Sequence, residues 1–147
     1  KINSRLVILG DESFKLDNVR VEHPPWSQDS DVSEIQGFDV GIMPLPDNFW
    51  EKGKCGYKLI QYMACAKPVI ASPVGVNKKI VDHGINGFLA SSKTEWIEAL
   101  NILHANCELR YEMGRSGRKK VENEYCLQVM APRLLAILND VVKGKPQ

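Results

Sequence analysis

This sequence has no apolar run long enough to read as a bilayer-spanning helix and no secretory leader pattern at its start. It also lacks a charge surplus: 19 Lys and Arg against 18 Asp and Glu give a formal net charge of +1. A dedicated nucleic-acid binder normally carries cations in excess, so the balance argues against that class and no nucleic-acid partner is expected. The basic run Arg115-Ser116-Gly117-Arg118-Lys119-Lys120 reads as a solvated helix face. Cys55, Cys65, Cys107 and Cys126 form no Cys-x-x-Cys pair, and His23, His83 and His104 are scattered. That pattern argues against structural zinc and a disulfide framework, and it suits a reducing compartment. A cytoplasmic location, open to peripheral contact at the inner membrane face, is the expectation. Gly10-Asp11-Glu12 does not supply the G-x-G-x-x-G of a nicotinamide-dependent dehydrogenase, which discounts that class. Aromatics make up 7% of the chain, and Trp26, Trp50 and Trp96 read as packing residues, Trp50 least securely because of the loop it occupies. Lys1 stands where an initiator methionine would, so the expectation is a piece of a longer protein.

What is present is a 147-residue chain, 44% hydrophobic, of the size of one domain. Short apolar runs at Arg5–Leu9, Val19–Glu22, Phe38–Met43, Pro68–Ala71 and Gly87–Ala90 read as strands. Helical patterns cover Asp29–Gln36 and Tyr57–Cys65, and everything beyond Ala90. Ser92 or Thr94 would cap a helix burying Trp96, Leu100 and Leu103; Leu109, Met113 and Val121 give a second stripe. Leu127, Met130, Leu134, Leu138 and Val141 give the cleanest stripe, with Pro132 in that helix's first turn or at a kink. Alternating strands and helices predict an α/β, doubly wound parallel sheet, Rossmann-like, with a helical C-terminus. The expected domain spans 1–142, with 143–147 a frayed tail.

Open parallel sheets bind ligands where strands end and lead into helices. Two loops qualify: Pro44 to Tyr57, and Ser72-Pro73-Val74-Gly75-Val76-Asn77. The first closes on Lys52-Gly53-Lys54-Cys55-Gly56 and enters a helix, so glycine-flanked backbone N–H groups and the positive helix end would suit a diphosphate. Lys54 and Lys58 add positive charge. On that helix Lys58, Gln61 and Cys65 share one face, with Leu59, Ile60 and Met63 towards the other, and a side chain at Gln61 leans back towards the helix start. Its amide can donate to and accept from adjacent hydroxyls. Asp39 reads as ordering a strand entrance and Asp82 as preceding a turn, neither as catalytic.

Taken together, Gly53-Lys54-Cys55-Gly56-Tyr57-Lys58-Leu59-Ile60-Gln61-Tyr62-Met63-Ala64-Cys65-Ala66-Lys67-Pro68-Val69-Ile70-Ala71 resembles E-x-F-G-x-x-x-x-E-A-M-A-x-G-x-P-V-I-A, the hallmark of family 4 retaining glycosyltransferases. Gly75-Val76-Asn77 and Ile80-Val81-Asp82-His83-Gly84-Ile85-Asn86-Gly87-Phe88-Leu89 are similar to that family's next block. Phe38-Asp39-Val40-Gly41-Ile42-Met43-Pro44-Leu45 is similar to its preceding strand. The resemblance implies the C-terminal donor-binding domain of a GT-B enzyme, binding a nucleotide diphosphate sugar without a metal or other cofactor. An acceptor glycan, lipid or small molecule would be the second substrate, and an N-terminal domain and a first strand would lie upstream. Gly56 and the backbone of Tyr57 to Leu59 would hold the diphosphate, and Gln61 would face the ribose. Gly53 would lie by the transferred sugar, and Gly75, Val76 and Asn77 would line the cleft. Lys58 would assist the leaving phosphate. Gly53 and Gln61 replace the family's two glutamates, and Ala66 replaces a glycine. The implied activity is hexosyl transfer in glycan biosynthesis, the isolated chain being inactive alone. The alternative is a non-catalytic nucleotide-binding or interaction module of the same fold.

Overall fold

The computed structural model describes residues 4–9, 13–25, 27 and 31–144. Gly10, Trp26, the expected helix start at Asp29 and the end of the tail lie outside these residues. The chain forms two compact units, 1–34 and 35–147, and the boundary falls inside α1 (Asp31–Gln36). In the first unit β1 (Arg5–Val7) pairs in parallel with β2 (Arg20–Glu22), and Arg5 bridges to Glu22 at 3.1 Å across the pair.

The second unit holds a parallel sheet in the order β3 (Gly41–Met43), β4 (Val69–Ala71), β5 (Gly87–Leu89). The central strand, Val-Ile-Ala, is buried throughout, as a strand covered on both faces must be. Val69 and Ala71 join Leu59, Met63, Ile80, Val81 and Val121 in one core cluster. Ile70 points the other way, among Ala90, Ala99, Leu103 and Met113. The first face is covered by α3 (Tyr57–Ala64) and α4 (Asn77–Ile80), the second by α5 (Lys93–Ala105) and α6 (Cys107–Lys120). This is the doubly wound arrangement the sequence predicts.

Two short helices escape the sequence pattern, α4 and α2 (Phe49–Lys52). Four residues are too few to show a helical period. The α5 helix starts at Ser92, whose hydroxyl accepts from the Glu95 N–H while Glu95 bonds back to the Ser92 N–H. Its buried face is Ala99 and Leu103 with Trp96 half-covered; Leu100, expected inside, is exposed. The basic run of α6 is solvated at Arg115, Arg118 and Lys119, as expected, and only Lys120 departs from that reading. Arg118 donates to the Ala64 carbonyl at the end of α3. Lys120 is largely buried, donating to both Asp82 carboxylate oxygens at 2.8 Å and to the Lys79 carbonyl. Asp39, expected to order the entrance to β3, is exposed and lies 3.7 Å from Arg110.

After α6 the chain widens into a π-helical segment (Val121–Tyr125), closed by Cys126 N–H donating to the Val121 carbonyl at 2.9 Å. Cys126 is extended, and α7 (Leu127–Val142) follows with Pro132 inside it and no buried residue. The helical stretch Cys107–Val142 is 36 residues long, and an 18-residue window in it reaches a mean hydropathy of 1.2. The expectation of no bilayer-length apolar stretch is corrected on length and composition, because α6 and α7 join through the π segment. Gln128, Arg133, Asn139 and Asp140 nevertheless mark one side of α7, so its apolar surface is a face and not a sleeve.

Candidate functional site

The carboxyl ends of the parallel strands lie at Met43, Ala71 and Leu89, and both loops expected to carry chemistry emerge there. They are tied together at their roots. The Ser72 hydroxyl accepts from the Leu45 N–H at 2.9 Å, and the Ser72 N–H donates to the Met43 carbonyl at 3.1 Å. Ser72, the first residue of the second candidate loop, thus joins the two loop roots.

Gly56 is the hinge between the first loop and α3. It sits at φ +69, in the left-handed region, and a Cβ there would fall 2.3 Å from Ile80 Cδ1 and 3.2 Å from Val76 Cγ2. Only glycine satisfies both demands. The turn aims the first N–H groups of α3 out of the helix start, where no intrahelical acceptor exists. Gly56 has no side chain to cap that end, and among the described residues no carboxylate belongs to the helix's first turn. An unblocked positive helix end is what an anionic ligand requires.

The second loop presses against the first from the other side. Gly75 lies at φ +52, where a Cβ would come 2.7 Å from the Lys52 carbonyl oxygen. Val76 is half-buried beside Gly56. Asn77 is buried, its amide donating to the Ser72 carbonyl at 3.0 Å, so it braces the loop from within. Leu59 is fully buried, leaving its backbone as the group able to meet a ligand. Tyr57 is exposed, and Lys58 and Gln61 are half-buried one turn apart on α3. The structure thus brings Gly56, Gly75, Val76 and Asn77 to one mouth, with Tyr57, Lys58 and Gln61 on the helix that leaves it.

Gly53 differs from the other glycines. Its φ is −80, and the nearest atom to an added Cβ is the Trp50 carbonyl oxygen at 3.4 Å, an ordinary contact. A side chain fits there. Lys54 is held by Glu51 at 2.7 Å, so its charge is locally balanced. Burial pushes the Cys65 thiol above its ordinary range, with Lys67 and Arg118 opposing. Among the described residues no cluster of three or more His, Cys, Asp or Glu converges as a metal site. Trp50, read as a packing residue, is instead 80% exposed, and its neighbour Phe49 is 95% exposed. Both ride on α2, whose Asn48 cap accepts from the Glu51 N–H at 2.9 Å; Asn48-x-x-Glu51 was the signal for this helix.

The family profile described as "Glycosyl transferases group 1" matches residues 1–106. A D-inositol 3-phosphate glycosyltransferase of Pseudarthrobacter chlorophenolicus is 27% identical over 138 residues, covering 83% of this chain and 31% of that protein. The chain therefore spans about a third of that relative's length. Among solved structures, sucrose-phosphate synthase from Thermosynechococcus elongatus superposes with a TM-score of 0.70 at 19% identity, over 85% of this chain and 31% of its own. Anabaena HepE in complex with UDP superposes with a TM-score of 0.67 at 18% identity, over 82% and 32%. These likenesses fix the architecture as that of GT-B C-terminal domains.

Proposed function

This chain belongs to the glycosyl transferases group 1 family, and from that premise we propose that it binds a nucleotide diphosphate sugar at the carboxyl end of the β3–β4–β5 sheet. The observation that carries the proposal is the uncapped start of α3 at Gly56, closed from behind by Val76 and Ile80. In this reading the first-turn N–H groups meet the diphosphate, Gln61 meets the ribose and Gly75 to Asn77 wall the cleft. The UDP held by HepE supports the same ligand class.

The proposed reaction is hexosyl transfer to an acceptor hydroxyl with retention at the anomeric carbon, as in family 4. Departure of the nucleoside diphosphate builds negative charge on its terminal phosphate. Fixed amides and Lys58 would stabilise that charge without reorganising, and one such donor is worth roughly 10²–10³ in kcat. No metal enters the proposal.

The acceptor, a glycan, lipid or small molecule, would be presented chiefly by a domain preceding this one. The threefold greater length of the D-inositol 3-phosphate relative supports such a partner domain, and the uncovered apolar face of α7 offers it a surface. The isolated chain would then bind donor weakly and not turn over. The proposed unit is residues 1–142 with a short tail, placed in the cytoplasm at or near the inner membrane face, which the four free thiols support.

Gly53 favours a second reading, a non-catalytic nucleotide-binding module. The backbone there tolerates a side chain, so the missing glutamate is not imposed by sterics. Calorimetry on the full-length polypeptide with UDP, GDP and ADP tests the site: saturable binding of one of them supports it, and no binding defeats it. Sugar transfer by the full-length protein would then exclude the non-catalytic module, and transfer by the isolated chain would defeat the claim that it needs its partner domain.

A further inference from the structure

We propose that Phe49 and Trp50 form a stacking platform for a neutral acceptor saccharide at the mouth of the cleft, an assignment that rests on the donor-site reading above. Phe49 and Trp50 are consecutive residues of α2, largely exposed, and part of neither core cluster. They are not displayed on a loose loop. Asn48 caps α2 at Glu51, the Lys52 N–H donates to the Asn48 carbonyl at 3.1 Å, and the Gly53 N–H donates to the Trp50 carbonyl at 3.1 Å. The Lys52 carbonyl is packed against Gly75 of the second loop. A braced turn thus holds two large apolar surfaces outward in the same loop that leads to Gly56.

Charge selects the kind of partner. Lys52 is paired with Asp47 at 2.9 Å and Lys54 with Glu51 at 2.7 Å, so the lysines around the rings are neutralised within α2 and its flanks. Anchoring to an anionic bilayer draws on unpaired cations beside the aromatics, which these are not. An uncharged sugar asks for something else. Its C–H face packs on a flat ring, and its hydroxyls bond to polar groups at the edge. Asp47, Asn48 and Lys52 are the polar residues that flank Phe49 and Trp50 in the sequence, the Asp47–Lys52 pair being exposed to solvent. Exposure selects the acceptor over the transferred sugar. The donor's sugar is tethered to a diphosphate at α3, whereas rings that this domain leaves open meet a ligand arriving from outside.

The test uses the full-length polypeptide, with F49S/W50S beside wild type. Both side chains are so exposed that the double substitution leaves the fold intact, which thermal melting checks. Calorimetry with UDP and binding to a printed array of neutral mono-, di- and trisaccharides in the presence of UDP are then measured. The expected result is equal UDP affinity and at least a tenfold loss of saccharide binding in the variant. Equal saccharide binding by both proteins, or none by wild type, with UDP binding intact overturns the platform alone. Loss of affinity for phosphatidylcholine–phosphatidylglycerol vesicles in the variant, without loss on the array, overturns it in favour of a membrane contact. Absence of UDP binding by wild type defeats the donor-site reading and the platform with it.

Discussion

The helices α3 and α7 both carry an apolar stripe in sequence, yet their fates in the structure are opposite. Leu59 and Met63 of α3 are fully buried in the core cluster with Val69 and Ala71 of β4, and Met63 also meets Gly117 of α6. Gly114 and Gly117 are what let the two helices close: a Cβ at Gly114 would lie 2.0 Å from the Ala66 carbonyl oxygen, and one at Gly117 would lie 2.9 Å from Met63 Cγ. By contrast α7 buries nothing, and Leu134, Leu138 and Val141 are each more than half exposed. Periodicity reveals that a face exists to be covered; it does not reveal what covers it. For α3 the cover is in this chain. For α7 we have assigned it to the rest of a longer polypeptide.

The sharpest way to break this comparison is to truncate both faces. Met63→Ala removes a fully buried side chain and is expected to cost about 3 kcal/mol in chemical denaturation. Leu134→Ala with Leu138→Ala is expected to cost under about 1 kcal/mol together in the isolated chain, because surface changes are nearly neutral. Equal losses would show that α7 is already packed.

A smaller effect probes why α3 is covered. Gly114→Ala drives a methyl into the Ala66 carbonyl and is expected to lower stability by about 2 kcal/mol, the usual scale of overpacking. A neutral result in a thermal melt would mean that α6 does not sit on α3 this closely. Ala66→Gly runs the other way. Ala66 adopts φ +54 while Lys67 and Ala66 donate to the Tyr62 and Met63 carbonyls, a helix-ending pattern in which glycine is preferred. The substitution is expected to stabilise by about 1 kcal/mol.

The least effect is electrostatic. The Ser92 and Ser91 N–H groups hold the Glu95 carboxyl below its ordinary range. A depressed folded value stabilises above the unfolded value and loses that contribution as pH falls through the folded one. Wild type should therefore lose stability more steeply than Glu95→Gln on acidification below about pH 4.3. Parallel acid limbs would discount the α5 capping box.

How much of this was legible depended on the range of the signal. The β4 strand was visible as Pro68 to Ala71 because a doubly covered strand is apolar without interruption. Gly56 was visible because a glycine preceding a helix is a local pattern. The internal anchoring of Lys120 was not, since its partner Asp82 lies 38 residues away and the surrounding run looks solvated. The exposure of Trp50 was hidden for a similar reason: α2 is one turn long, and a single turn has no period from which to read an outer face. The need for glycine at 75 arises from the Lys52 backbone, which local sequence does not bring near.

The central claim is that the mouth formed by Gly56 and the Gly75–Asn77 loop receives a nucleoside diphosphate. Backbone amide chemical-shift mapping of the 147-residue chain during a UDP titration tests it directly. The account predicts saturable shifts concentrated at Gly56, Tyr57, Lys58 and Gly75 to Asn77, with α7 silent. Shifts centred elsewhere, or none up to saturating UDP, would contradict it.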